Sequence, residues 1–178
     1  MAAKILRLFF ALWPDEAVRA ALATLAQDVM VETGGRAVAP ENVHLTLAFL
    51  GEQPARLAVE IDMRSAAAIP AFALSFDELG CWRKTGIAWV GASAVPRELS
   101  HLEQSIARAL AALGLEGDER PYSPHVTLAR RIVRPLRPRA ITPLVWSIDS
   151  FALMESAPAG AGRQYRVVRS WPLANRSS

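Results

Sequence analysis

The sequence predicts an α+β protein, and three observations carry that prediction. Segments of alternating apolar character are interspersed with segments of helical periodicity, without the strict strand–helix alternation of a doubly wound sheet. A chain of 178 residues matches one domain, or two small lobes sharing a core. A tetrapeptide also occurs twice in matching apolar frames, as His-Leu-Thr-Leu from His44 and as His-Val-Thr-Leu from His125.

Ile5 to Trp13 is rich in strand-compatible residues and stops at Pro14, which predicts a buried strand. From Asp15 to about Thr33, Val18, Leu22, Leu25 and Val29 recur at helical spacing, with acidic residues in the first turn and Gly34-Gly35 as a stop. Residues 42–51, NVHLTLAFLG, predict a strand closed by Gly51. Val43, Leu45, Leu47 and Phe49 point one way in it, and His44, Thr46 and Ala48 the other.

Pro54 to Ile69 predicts a second helix. Phe72, Leu74 and Phe76 then alternate as a strand, with Gly86 to Ala92 as its hairpin partner. Pro96 to Leu113 predicts a third helix, with Leu99, Leu102, Ile106, Leu110 and Leu113 on one stripe and Gly114 as its stop. A polar loop over 114–124 leads into the second motif strand, His125 to Val133. The Pro- and Arg-rich stretch 134–143 reads as a loop, followed by a long strand Leu144 to Met154, a turn over 156–162 and a last strand Gln164 to Trp171.

Composition excludes several classes. With 52% hydrophobic and 21% charged residues the chain reads as a soluble globular protein, not a disordered one. No run of about 18 apolar residues occurs, which argues against a membrane span. The apolar N-terminal run Leu8 to Trp13 is too short and lacks the cleavage pattern of a signal peptide. The single cysteine, Cys81, forms no internal disulfide and reads as a small buried hydrophobe. A cytoplasmic location is the expectation.

Charge is unevenly placed. Residues 1–119 carry 10 basic and 15 acidic side chains, whereas 120–178 carry 10 basic, all arginine, and 2 acidic. Arginine's planar fork suits phosphate, so a polyanionic partner fits the C-terminal part. Arginine also outnumbers lysine over the whole chain, 18 to 2, which weakens that signal.

The repeat organises the reading. Two similar lobes packed about a pseudo-two-fold axis would bring the motif strands side by side, and two His-x-Thr faces would meet in one groove. Strand periodicity puts His44 with Thr46 on one face, and His125 with Thr127. Imidazole titrates nearest neutrality, so two across a groove can serve as acid and base together. The threonine hydroxyls can then donate to the oxygens of a bound group, the arrangement that in-line displacement at phosphorus requires. One His-x-Thr in a strand is more often structural than catalytic. Two copies that use two of only three histidines point to function.

The third histidine, His101, falls near the polar side of its helix and reads as a solvent-exposed spectator. Two strand histidines with no third ligand at metal-binding spacing fall short of catalytic zinc, so neither metal nor cofactor is expected. No Gly-rich phosphate loop, nucleophile elbow or dinucleotide fingerprint is present. The five tryptophans read as core, with Trp82 the exception to check because it sits in a loop.

HLTLAFLGE and PHVTLAR, together with the opening RLFFALWPDEAVRAAL and the closing YRVVRSWPL, resemble the 2H phosphoesterase superfamily. Within it they resemble the RNA 2′,3′-cyclic phosphodiesterases, historically named 2′-5′ RNA ligases, over nearly the whole chain. The resemblance implies a single bilobal, duplicated LigT-like domain over 1–178. Two antiparallel-rich sheets, helices on the outside and a central groove belong to that expectation. It also implies metal-independent hydrolysis of RNA or nucleoside 2′,3′-cyclic phosphate to a 2′-phosphate; a monomer is the separate expectation for the assembly.

By the family pattern His44 is the proton donor to the departing 3′ oxygen, His125 the acceptor that activates water, Thr46 and Thr127 the phosphate holders, and Arg130 a further phosphate contact. Strict alternation from His125 turns Arg130 to the opposite face, so it reaches the groove only if the strand bends, bulges or ends near Ala129. Ligation of RNA ends at the same site, and a binding module without turnover, are the competing readings.

Overall fold

The computed structural model describes residues 4–115, 121–160 and 162–175. Strand β1 (Ile5–Leu12) sends Leu6, Leu8, Phe10 and Leu12 into the main core, and Phe9 and Ala11 into a smaller cluster on its other face. Helix α1 (Glu16–Thr33) starts where the Asp15 carboxylate accepts a hydrogen bond from the Val18 N–H at 2.8 Å. It ends at Gly34, whose φ of 69° is the left-handed conformation that glycine adopts without a Cβ clash. A two-residue strand, β2 (Arg36–Ala37), and one 3-10 turn (Pro40–Asn42) then deliver the chain to β3 (Leu45–Pro54). Gly51 does not close β3. It sits inside the strand beside an irregularity in its pairing.

The helix expected over 54–69 is instead two single turns, α2 (Leu57–Glu60) and α3 (Arg64–Ala67). Between them Ile61 is extended, Ile61 and Met63 are both buried, and the Asp62 carboxylate accepts from the Arg64 N–H at 3.0 Å. Burying two residues spaced by two is a strand period, which a continuous helix cannot supply.

Strands β4 (Phe72–Trp82) and β5 (Ile87–Gly91) form the expected hairpin. Helix α4 (Arg97–Ala111) buries Leu99, Leu102, Ile106 and Leu110, while Leu113 lies beyond its end and is exposed. Residues 116–120 of the expected polar loop lie outside the described residues, and the second motif strand is β6 (His125–Arg130).

The last third differs most from expectation. Strand β7 (Arg139–Ile148) begins inside the stretch read as a loop, and the long strand expected over 144–154 is divided at Asp149 between β7 and β8 (Ser150–Ala159). The division is topological, because β7 pairs with β4 whereas β8 pairs with β1 in the other half of the sheet. Pro143 is tolerated because β7 is an edge strand, with a row of N–H groups that need no partner. Strand β9 (Gly162–Pro172) pairs with β8 along its length; Ala161, in the turn between them, lies outside the described residues.

The strands follow one path, β7-β4-β5-β6-β3-β1-β8-β9, with β2 alongside β6 and every strand pairing antiparallel. The two expected sheets are thus halves of one path, joined between β3 and β6 by the single register pair Leu45↔Val126. Each long helix reaches across the join: α1 packs on β6 of the other half, and α4 packs on β3. Backbone hydrogen bonds from Leu173 to Asp149, and between Ala174 and the Ile69–Ala71 segment, tie the far ends together.

Candidate active site

The two copies of the motif build the same local unit. His44 Nδ1 donates to the Asn42 carbonyl at 2.6 Å, and His125 Nδ1 donates to the Ser123 carbonyl at 2.7 Å. A carbonyl can only accept, so Nδ1 carries the proton in each ring and Nε2 holds the lone pair of the neutral imidazole. The acceptor lies two residues upstream both times. His44 Nε2 also lies 3.1 Å from Thr46 Oγ1, placing imidazole and hydroxyl on one face as strand periodicity predicts.

Leu45↔Val126 sets how the copies meet. In antiparallel pairing, stepping one residue either way carries the register from His44 toward Thr127 and from Thr46 toward His125. Each histidine therefore faces the other strand's threonine, a diagonal arrangement that a two-fold relation produces.

Both strands bulge at the same position of the repeat. Against β5, Ala129 pairs with Ala88 and Thr127 with Trp89, so Leu128 is the extra residue, and Leu128 and Ala129 are both fully buried. That brings Arg130 back to the face of His125 and Thr127. Against β1, Ala48 pairs with Phe10 and Thr46 with Ala11, so Leu47 is the extra residue. Phe49, five residues after its histidine as Arg130 is after His125, consequently turns out of the core. It lies opposite Phe9 with 63% of its surface exposed, contrary to its expected place among the core residues.

Aromatic rings enclose the imidazoles. His44 has Phe9 at 5.1 Å, Tyr165 edge-on at 5.0 Å and Trp13 stacked at 6.0 Å between centroids. Trp82 stands edge-on to His125 at 4.5 Å and packs on Trp89. Desolvation consequently drives His44 from 6.5 down to about 4, opposed by its bond to Asn42 and reinforced by the charges of Arg130 and His125. Burial also lowers His125, opposed by the Ser123 carbonyl and reinforced by Arg130. Arg130 is thus felt at both rings.

Surrounding contacts fix the frame. The Tyr122 hydroxyl donates to the Thr46 carbonyl at 3.2 Å, and burial pushes its pKa up. Asn42 Nδ2 donates to the Arg163 carbonyl at 2.9 Å, holding the turn before His44 against β9. His101 is exposed on α4. Cys81 is half-buried, its thiol donating to the Leu136 carbonyl at 3.3 Å. Among the described residues no three His, Cys, Asp or Glu side chains gather as metal ligands. A cavity of about 570 Å³, lined by Glu60, Asp62, Ser105 and Arg108 among others, contains none of the motif residues.

The model of the 2′-5′ RNA ligase superfamily matches residues 13–159. The chain belongs to this superfamily. The RNA 2′,3′-cyclic phosphodiesterase of Escherichia coli (strain K12) is 31% identical to this superfamily member over 172 residues, covering 94% of this chain and 96% of that protein. The enzyme of the same name from Thermus thermophilus is also 31% identical, over 94% of this chain and 90% of its own. Among solved structures, E. coli LigT complexed with 3′-AMP superposes with a TM-score of 0.85 at 30% identity, covering 97% of this chain and all of that one.

Within this member of the superfamily, His44, Thr46, His125, Thr127 and Arg130 occupy one face of the two central strands. Sequence reading missed Phe9, Phe49 and Tyr165 there, and Tyr122 at the Thr46 carbonyl. Phe9 was legible from alternation in β1, whereas Tyr165 reaches His44 only through the β8–β9 pairing, which leaves no local signal. Among the described residues no helix is long and apolar enough to cross a membrane.

Proposed function

We propose that the chain hydrolyses RNA 2′,3′-cyclic phosphate ends to 2′-phosphates, using His44 and His125 as acid and base without a metal ion, as one bilobal domain. The observation that carries this is the matched Nδ1–carbonyl bond of each histidine, which leaves both Nε2 atoms as the working nitrogens. The names and structures of the relatives at about 30% identity support the same substrate. A monomer in the cytoplasm completes the reading.

The steps balance simply. His125 Nε2 takes a proton from water as the water oxygen bonds to phosphorus. The bond from phosphorus to the 3′ oxygen breaks, and that oxygen takes the proton held on His44 Nε2, leaving a 3′-hydroxyl and a 2′-phosphate. Thr46 and Thr127 donate to the non-bridging oxygens, and Arg130 offsets their charge in the transition state. His44 must be protonated for this, although burial depresses it to about 4. The phosphate anion supplies the missing opposite charge, raising His44 when substrate is seated.

The deciding experiment incubates the protein with a 2′,3′-cyclic-phosphate oligoribonucleotide and EDTA and follows the product by phosphorus NMR, beside His44→Ala and His125→Ala. The expected result is a 2′-phosphate made by the wild type and by neither variant. No turnover by the wild type would leave a binding module. Turnover lost with EDTA would overturn the metal-free mechanism, and a 3′-phosphate product the assignment of the leaving oxygen.

A further inference from the structure

Strand β2 is only two residues long, and its register with β6 pairs Arg36 directly with Arg130. Directly paired antiparallel residues carry their side chains on the same face, so Arg36 stands beside Arg130 on the groove side. Glycine permits the approach: a Cβ on Gly35 would lie 2.8 Å from the Arg130 carbonyl oxygen and 2.9 Å from Ile132 Cγ2. Any other residue there would push β2 away from β6.

Both arginines are exposed. Among the described residues neither guanidinium makes an ion pair, unlike Arg64 with Asp62, Arg139 with Glu32 and Arg166 with Glu155. Like charges placed directly opposite in a sheet destabilise it, and an anion between or beside them reverses the sign. The two arginines are not equivalent, however. Arg130 is carried by the motif strand itself, whereas Arg36 stands on β2 alongside it.

We propose that Arg36 binds the phosphodiester adjoining the cyclic phosphate, so that the groove favours a cyclic end carried on an RNA chain over the same group on a lone nucleoside. This rests on the function proposed above and names its substrate more closely. A contact one phosphate removed from the reaction is equally strong in ground and transition states, so its loss raises KM and spares kcat.

The test compares Arg36→Gln with wild type on a 2′,3′-cyclic-phosphate oligoribonucleotide and on a nucleoside 2′,3′-cyclic monophosphate. The expected loss in kcat/KM on the oligonucleotide is about tenfold, carried by KM, with a several-fold smaller loss on the mononucleotide. The slope of log KM against log salt for the oligonucleotide should fall by about 1, and Arg36→Lys should recover part of the affinity. Equal losses on both substrates, or none on the oligonucleotide, would overturn the proposal. If the wild type turns over neither substrate, the function above fails by itself. Fluorescence anisotropy with a 2′-phosphorylated oligoribonucleotide then decides: weaker binding by Arg36→Gln supports the contact, and unchanged binding removes it.

Discussion

Leu45 of β3 pairs with Val126 of β6, and through this single pair the two halves of the sheet meet. Both residues are fully buried, so the histidines that precede and the threonines that follow them are carried to the other face together. The core thereby fixes the geometry of the groove.

Arg130 should set the pH dependence of turnover. Both imidazoles are held below 6.5, so kcat/KM should follow a bell whose maximum lies on the acid side of that value, its limbs belonging to the pair. Arg130→Gln removes a charge that lowers both groups. Its profile should shift to higher pH while activity drops by about 100-fold. Loss of activity with unmoved limbs would confine Arg130 to holding substrate.

His44 should make the fold sensitive to acid. Between pH 6.5 and about 4 the unfolded chain takes up a proton at His44 that the folded chain refuses, so stability falls as pH falls through that window. The slope from this group is at most about 1.4 kcal/mol per pH unit. Tyr165→Ala admits water to the ring and should move the NMR titration of His44 back toward 6.5, weakening that dependence. A titration that stays near 4 in the variant would assign the depression to the other surrounding groups.

Gly80 should resist enlargement. A Cβ at Gly80 would overlap the Trp89 ring, which also packs on Trp82 beside His125. Gly80→Ala should cost about 1–3 kcal/mol, read as a lower denaturation midpoint at unchanged slope. An unchanged midpoint would mean that the ring moves without penalty.

The parts of the fold that sequence made legible are those where local chemistry and tertiary packing agree. In α1, Asp15 and Gly34 mark the ends and the apolar stripe meets β6, so cap and periodicity gave the same boundaries. The region 54–69 departs from the expected helix because an apolar-rich stretch with good helix formers gives no warning of the extended turn at Asp62. The strand expected over 144–154 hid its break for a different reason. Which strand each half joins is a fact about β1 and β4, more than 60 residues away in the chain.

Sequence alone puts His44 with Thr46, and His125 with Thr127, on one strand face each, because a period of two and an apolar frame leave each pair only one common face. Tertiary structure decided what stands around them. Bulges at Leu47 and Leu128, visible only in the pairing with β1 and β5, turn Phe49 and Arg130 toward the groove against strict alternation. Register with β6 likewise sets Arg36 beside Arg130 from 94 residues away. The physical reason is common to all three: side-chain direction in a strand follows from local geometry, but register is fixed by whichever strand supplies the hydrogen bonds.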